Sequence, residues 1–558
     1  MKYILKSLIL ALGFAFAFLK TTSAAGAADH FVRTLPGLPD DANLKQHAGH
    51  ITIDESTNSN IFFWLMHNRH ISDKSRLIIW LNGGPGCSSM DGVFLENGPW
   101  RINSDQTLKM IDGSWIEFAN VLYVDQPVGT GFSYVNATGY LRNVSQVPGQ
   151  FLTFLDKFFE IFPEFSKDDM YLAGESFAGT FIPYIAAGIL KRNNETTTTF
   201  DNYYNLKGIA IGNGWIDPIP QKTAESQLAS CMAAENQSFT IHQDMCEELL
   251  MTILRSSRTV VGKKVTCLNQ YDIRDYKDTY PSCGLGWPYE LPTIYEYLKR
   301  ADVLKAIHAE GKTDDWVECS PSVSRGFTND PSPPSVLLLP SILKQINVLF
   351  GDQDLICNHD GTEAMIKELE WNDAKGFQNS TTTPLSLNNT VYGHMISERN
   401  LTYIVIYNAS HMVPYDVPVQ SMDMMYRFMG VKPQTIMFPS GTTYNINFES
   451  TVTSNTPIPP SAKIVPHEIL DQYYNAGTIT LIIVICGVVS LAAFLYRGRL
   501  KRKRNISQTM KAVVESSNNE MDELVIETPL FQSDNVDNFG DSEDEESRMH
   551  NNQDRYVD

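Results

Sequence analysis

The run LAGESFAGTF, residues 172–181, sets Ser176 in a turn flanked by Gly174, Ala178 and Gly179. Small residues on both sides let a strand turn sharply into a helix, which exposes the hydroxyl oxygen and aims helix-start N–H groups at it. Such a serine becomes a nucleophile when a histidine takes its proton and an acid orients the histidine. Both partners follow downstream, each just past a strand-like run. LFGDQDLICNHDG offers Asp352 and Asp354, and VIYNASHMVPYDVP offers His411. Asp354 with His411 is the best pair, with Asp352 competing at the same strand end. One residue does not fit acyl transfer. Glu175 directly precedes Ser176, and a negative charge there does nothing to stabilise an oxyanion.

The oxyanion needs two convergent N–H donors. The residue after the nucleophile, Phe177, supplies one. The other is expected from an early strand-to-helix loop, and WLNGGPGCSS at residues 80–89 assigns it to Gly84. No paired histidines at zinc spacing occur, so the chemistry is expected to need neither metal nor cofactor.

These residues need strand ends to hold them. Short β-branched and aromatic runs begin at residues 76, 119, 169, 206, 346 and 401, each closing on Gly or polar residues. PGQFLTFLDKFFEIFPEF and TFIPYIAAGILKRNN, between them, have helical spacing. The alternation predicts an α/β fold with a mixed, mostly parallel central sheet, and serine, acid and histidine fall in the chain order of the α/β-hydrolase fold. From about 215 to 335 the pattern changes to helical segments and a run of four cysteines from Cys231 to Cys283, which predicts a disulfide-containing cap inserted over the sheet.

The chain has 558 residues and two apolar segments that organise it. Residues 1–28, with Lys2, Lys6, a short apolar middle and an Ala-rich exit, read as a secretory signal peptide. Residues 477–496 carry no charge and precede RGRLKRKR, so they read as one membrane span with a cytosolic C-terminal side. Between them lie a luminal domain over 29–435 and a Ser/Thr/Pro-rich stalk over 436–476. The formal charge of −20 is concentrated at the far end: residues 505–558 hold fourteen acidic and three basic side chains. The tail 497–558 therefore reads as disordered and suited to sorting machinery. Nothing suggests nucleic acid. Seven cysteines are luminal, an odd number, so one thiol is expected outside the disulfides, whose pairing sequence alone leaves open. Luminal glycosylation sequons begin at Asn136, Asn143, Asn194, Asn236, Asn379, Asn388, Asn400 and Asn408.

Taken together, WLNGGPGCSS, GESFAG, GDQDLICN and SHMVPYDVP, in this order, resemble the serine carboxypeptidases over about residues 35–430. The single span and acidic tail are most similar to the fungal pheromone-processing branch of that family. Phe177 stands where the family usually has tyrosine. The resemblance implies a use for Glu175: paired with Glu96, and helped by Asn82 and the Gly83 N–H, it grips the free C-terminal carboxylate of a peptide. Two close carboxyls cannot both ionise, so activity is expected at acidic pH. It also implies a leaving-residue pocket with Asp91, which favours Lys or Arg, and Met412. The implied disulfides are Cys87–Cys319, Cys231–Cys246 and Cys267–Cys283, leaving Cys357 as the thiol outside them. The expected setting is a single-pass type I protein of the trans-Golgi membrane acting on precursor peptides. Rival readings are a broad-specificity carboxypeptidase, an acyltransferase on the same scaffold, and an inactive luminal cargo-binding protein.

Overall fold

The structure, a computed structural model, describes residues 26–195, 203–223, 269–272, 274–275, 284–344, 354 and 356–445. Its framework is a six-stranded sheet of β1 (Gln46–Asp54), β2 (Ser59–Met66), β3 (Arg76–Leu81), β6 (Asn120–Val124), β7 (Asp169–Glu175) and β8 (Leu206–Gly212), with β4 (Trp100–Ile102) and β5 (Leu108–Met110) forming a separate ribbon. The order is β1-β2-β6-β3-β7-β8. β3, β6, β7 and β8 run parallel, and β1 and β2 are antiparallel additions at one edge. The expected mixed sheet is present. The strand expected at 346 lies outside the described residues.

The apolar runs follow from burial on both faces. Along β3, Leu77, Ile79 and Leu81 enter one core while Ile78 and Trp80 enter the other. Along β2, Ile61, Phe63 and Leu65 alternate in the same way with Phe62, Trp64 and Met66. α2 (Val147–Ile161) and α3 (Ala178–Glu195), which follow α1 (Met90–Phe94), cover one face through Phe151, Phe154, Leu155, Phe158, Phe181 and Ile185. Pro183 sits inside α3 and has no N–H for the Gly179 carbonyl; the Ser335 hydroxyl donates to that carbonyl instead, at 2.9 Å. The helix therefore continues unbroken.

Of the cap, residues 215–223, 269–272, 274–275 and 284–335 are described. The helical stretch expected at 290–310 divides into α4 (Leu291–Leu298) and α5 (Ala301–Ala306), because Arg300 takes an extended conformation. α4 packs Leu291, Ile294, Tyr297 and Leu298 on the second face of the sheet. α6 (Pro321–Gly326) follows the Cys87–Cys319 disulfide, which forms as expected. Cys231, Cys246, Cys267 and Cys283 lie outside the described residues.

Past α8 (His359–Glu368), for which α7 (Leu339–Ile342) is the preceding helix, the chain makes the short ribbon β9 (Glu370–Trp371) and β10 (Ala374–Lys375). β11 (Thr383–Leu387), β12 (Thr390–Glu398) and β13 (Leu401–Ile406) then form an antiparallel sheet, and the chain passes through His411 before α9 (Val413–Asp416) and α10 (Pro418–Phe428).

One boundary moves. Residues 436–445, expected as the start of the stalk, belong to the folded domain, because β14 (Thr435–Met437) and β15 (Thr443–Asn445) pair and bury Ile436, Phe438 and Tyr444 in the main core. The Tyr444 hydroxyl also donates to buried Asp423 at 2.5 Å. Among the described residues no helix is long and apolar enough to cross a membrane; the span expected at 477–496 lies outside them.

Candidate active site

Ser176 stands at the end of β7 with φ of 57°, a left-handed conformation that a residue other than glycine rarely takes. Its N–H donates to the Gly212 and Asn213 carbonyls, both at 3.1 Å, so the end of β8 holds the turn. The small neighbours are required sterically. A Cβ on Gly174 would lie 2.2 Å from the Leu81 carbonyl oxygen, and one on Gly179 would lie 2.9 Å from Gly214 Cα. Ala178 is tolerated two places after the serine because its methyl faces the bare Cα of Gly174.

The Gly-rich loop closes on this turn. A Cβ on Gly83 would lie 2.5 Å from the Phe177 nitrogen and 2.8 Å from Ser176 Cβ, so only glycine lets the loop reach the serine. Gly84 follows with φ of 105°. Asp125, absent from the residues singled out by sequence, fastens the loop from below. It accepts from the Ser88 hydroxyl and Ser89 N–H, each at 2.8 Å, and from the Phe132 N–H at 2.7 Å. Burial pushes its carboxyl up to about 6 despite those donors.

Asp354 and His411 meet. His411 Nδ1 lies 2.5 Å from Asp354 Oδ2, and both side chains are buried. Asp354 is itself held by the N–H groups of Ile356, at 3.0 Å, and Cys357, at 3.1 Å. Asp352, the competing acid, lies outside the described residues. The acid, the histidine and the buried Cys357 thiol place their ligand atoms within 4.8 Å of one another. An acid at Nδ1 sets the tautomer in which Nε2 is free to take a proton.

The histidine segment has supports that sequence reasoning missed. Asn213 Nδ2 donates to the Ser410 and His411 carbonyls at 3.0 and 3.1 Å. The His411 N–H donates to the Tyr271 carbonyl at 2.8 Å, and the Tyr271 ring stacks obliquely 5.2 Å from the imidazole. The Gly-Asn-Gly ending of β8 was a usable signal for Asn213, whose φ of 43° needs such a turn. Nothing local marks Tyr271.

Glu96 and Glu175 come together in the interior. Asn82 Nδ2 donates to Glu96 Oε1 at 2.9 Å and to Glu175 Oε1 at 3.1 Å. Its Oδ1 accepts from Trp80 Nε1 at 2.7 Å and from the Gly92 N–H at 3.1 Å. All four hydrogen-bonding positions of the Asn82 amide are therefore filled within the protein. The amide thus orients the two glutamates.

Burial raises Glu175 well above the usual carboxylate range, and the charge of Glu96 and a hydrogen bond to it raise it further. Burial also raises Glu96, while the hydrogen bonds from Glu175 and Asn82 pull it back. The pair therefore holds a shared proton that burial makes hard to lose. The Oε2 atom of each glutamate has no donor from the described protein, which leaves that proton and an incoming group to satisfy them.

Asp91 is buried in α1, not solvated, and its Oδ1 has no partner among the described residues. Burial raises it well above its ordinary value, and the strongest neighbouring charge is Glu318. Glu318 adjoins the Gly-rich loop: Ser88 N–H donates to its carbonyl at 2.7 Å, beside the Cys87–Cys319 disulfide. Burial lifts the Glu318 carboxyl to about 7. Met412 is buried immediately after His411. Of the sequons, Asn136, Asn194, Asn379, Asn388, Asn400 and Asn408 are exposed, Asn143 is half-buried, and Asn236 is outside the described residues.

A strained serine at a strand-to-helix turn, a buried Asp–His pair later in the chain and a glycine loop against the nucleophile define an α/β-hydrolase of the serine type. Residues 36–430 match the family model described as serine carboxypeptidase. The chain is 43% identical over 524 residues to the pheromone-processing carboxypeptidase of Tuber melanosporum (strain Mel28), covering 87% of this chain and 83% of the relative. It is also 43% identical over 520 residues to the pheromone-processing carboxypeptidase of Aspergillus niger, covering 86% and 84%. The crystal structure of a prohormone-processing carboxypeptidase from Saccharomyces cerevisiae superimposes with a TM-score of 0.66 at 33% identity, over 75% of this chain and 99% of that one. The chain belongs to the serine carboxypeptidase family, and it is an enzyme of that class.

Proposed function

We propose that the protein removes single amino acids, preferentially Lys and Arg, from the free C-terminus of precursor peptides. The observation that carries this reading is the buried Glu96–Glu175 pair adjoining the nucleophile. A shared proton lets the pair donate to a carboxylate, which an unprotonated pair would repel. The Gly83 N–H is a second donor, and Asn82 keeps the glutamates in place. A peptide anchored by its last carboxylate presents its last amide bond to Ser176.

In the step that follows, His411 takes the Ser176 proton as the oxygen attacks, and Asp354 stabilises the imidazolium. The Phe177 and Gly84 N–H groups receive the oxyanion. His411 then protonates the leaving amine, and water releases the acyl-enzyme by the same route. Asp91, joined by Glu318, gives the leaving residue's pocket an acidic wall that suits a guanidinium or ammonium group. The processing roles printed in the names of the relatives support precursor peptides as substrates. The signal peptide, membrane span and acidic tail support a type I protein of the trans-Golgi membrane, catalytic domain luminal, its tail read by cytosolic sorting machinery.

Peptides ending in Arg, Lys and Leu, assayed on the luminal part, test the reading. Basic ends should be cleaved with kcat/KM higher by about tenfold or more. Equal rates would assign a broad-specificity carboxypeptidase, and acyl transfer to alcohols without hydrolysis would assign an acyltransferase. A serine-directed phosphonofluoridate should label the wild type and not Ser176→Ala. An unlabelled wild type would mean an inactive binding protein.

A further inference from the structure

Arg101, in β4, reaches the carboxylate site from behind. Its Nη2 donates to the Glu96 carbonyl at 2.6 Å and to the Pro414 carbonyl at 3.3 Å, and its Nη1 donates to the Trp100 carbonyl at 3.0 Å. All three hydrogen bonds it makes among the described residues end on main-chain carbonyls. Arg101 is half-buried, and an arginine drawn into the protein ordinarily takes a carboxylate directly, because an uncompensated cation there is costly. The charge that faces it most strongly here is the Glu96 side chain, with Tyr123, Tyr415 and Glu290 as the other ionisable groups around it. Enclosure lowers the guanidinium to about 10, so it stays charged wherever the enzyme works. Pro414 lies in α9, three residues past His411. One side chain therefore joins the segment that places the carboxyl pair to the segment that places the histidine.

We propose that Arg101 is a positioning residue: it fixes the Glu96 main chain against the His411 segment and supplies the permanent positive charge behind Glu96 and a bound C-terminal carboxylate. The inference rests on the carboxylate reading above. The need for such a charge follows from the neighbourhood. Glu175 already faces Glu96, Asp91 and Asp354, and substrate brings one more carboxylate. His411 and Arg101 are the cationic groups that face Glu96. The charge on His411 comes and goes within each turnover, while that on Arg101 is constant.

Removing the charge has a definite sign. Without the guanidinium both carboxyls hold their protons more tightly, so the alkaline decline of activity moves to higher pH even as the hold on substrate carboxylate weakens. The test compares kcat/KM from about pH 4 to about pH 8 on a peptide free acid and on its amide, for the wild type, R101M, R101Q and R101K. R101M and R101Q should lose about tenfold on the free acid, as expected for a charged contact, with a smaller loss on the amide and the alkaline limb moved upward. R101Q gives the same reading where Met prevents folding. R101K should keep the limb in place. Equal losses on acid and amide with an unmoved limb would overturn the proposal, as would a limb shift in R101K as large as in R101M. If the wild type itself failed to distinguish acid from amide, the carboxylate reading would fall first. If the wild type distinguished them and R101M did so equally well, only the role of Arg101 would fall.

Discussion

Glu175 and Glu96 share one amide: each places an Oε1 on Asn82 Nδ2, and each keeps an Oε2 that no described protein donor reaches. The consequence is a pH dependence of known sign. Burial raises Glu175 well above its ordinary value, so its proton is held at mildly acidic pH and lost as pH rises through the raised pKa. KM for peptides with a free C-terminus should therefore increase on the alkaline side. Glu175→Gln, a permanent donor, should flatten that increase, and Glu175→Ala should lower kcat/KM on free acids by about tenfold to a hundredfold. Steady-state kinetics across pH on the two variants measures both effects; an alkaline rise in KM that Gln leaves unchanged would count against the pair.

Gly83 touches the nucleophile's turn too closely for any side chain. Gly83→Ala should fold, because the clash is confined to one loop, yet push the loop from the Phe177 N–H. A fall in kcat of about a hundredfold to a thousandfold is expected, the cost of disturbing an oxyanion donor. Circular dichroism alongside single-turnover rates separates that from misfolding.

On the proposed reading, the leaving-residue pocket has an acidic wall of two carboxyls, Asp91 and Glu318. Asp91→Asn and Glu318→Gln should each reduce kcat/KM for a C-terminal Arg peptide by about tenfold while changing a C-terminal Leu peptide much less. Equal losses on the two peptides would place both carboxyls outside the pocket's selectivity.

These sites were legible to different depths, for physical reasons. Ser176 stands at a strand end, and Asp354 and His411 follow apolar runs and polar turn residues in the sequence; such local patterns survive in a linear sequence. Asp125 and Asn213 also stand at strand ends, but their work is a set of hydrogen bonds to segments far away in the chain, and a lone Asp or Asn there looks like any turn residue. Glu318 and Arg101 carry no local signal. Their meaning comes from what the Cys87–Cys319 bridge and the β4 turn bring near them. The edge hairpin escaped notice because β1 mixes His and Gly with its apolar residues. The stalk boundary was misplaced because Ile436, Phe438 and Tyr444 are isolated apolar residues in a polar stretch until β14 and β15 pair.

Stability should also follow pH, from two opposed sets of groups. Burial raises Asp125 to about 6 and Glu318 to about 7, above their unfolded values, so stability falls as pH rises through that range. Burial lowers His47 to about 4 and His67 to about 3, so stability falls again as pH drops from the unfolded histidine value toward those numbers. The fold should be most stable in mildly acidic solution. Thermal melts of the catalytic domain from about pH 4 to about pH 8 should show that maximum, and Glu318→Gln should soften the neutral side by roughly 1–3 kcal/mol.

The most direct measurement compares kcat/KM for one peptide as the free acid and as the C-terminal amide, at mildly acidic pH. A loss of about a hundredfold or more on amidation is the expected result, since the amide leaves the Glu96–Glu175 proton without its anionic partner. Equal cleavage of the two forms would contradict the assignment of that pair as the grip on the chain's end.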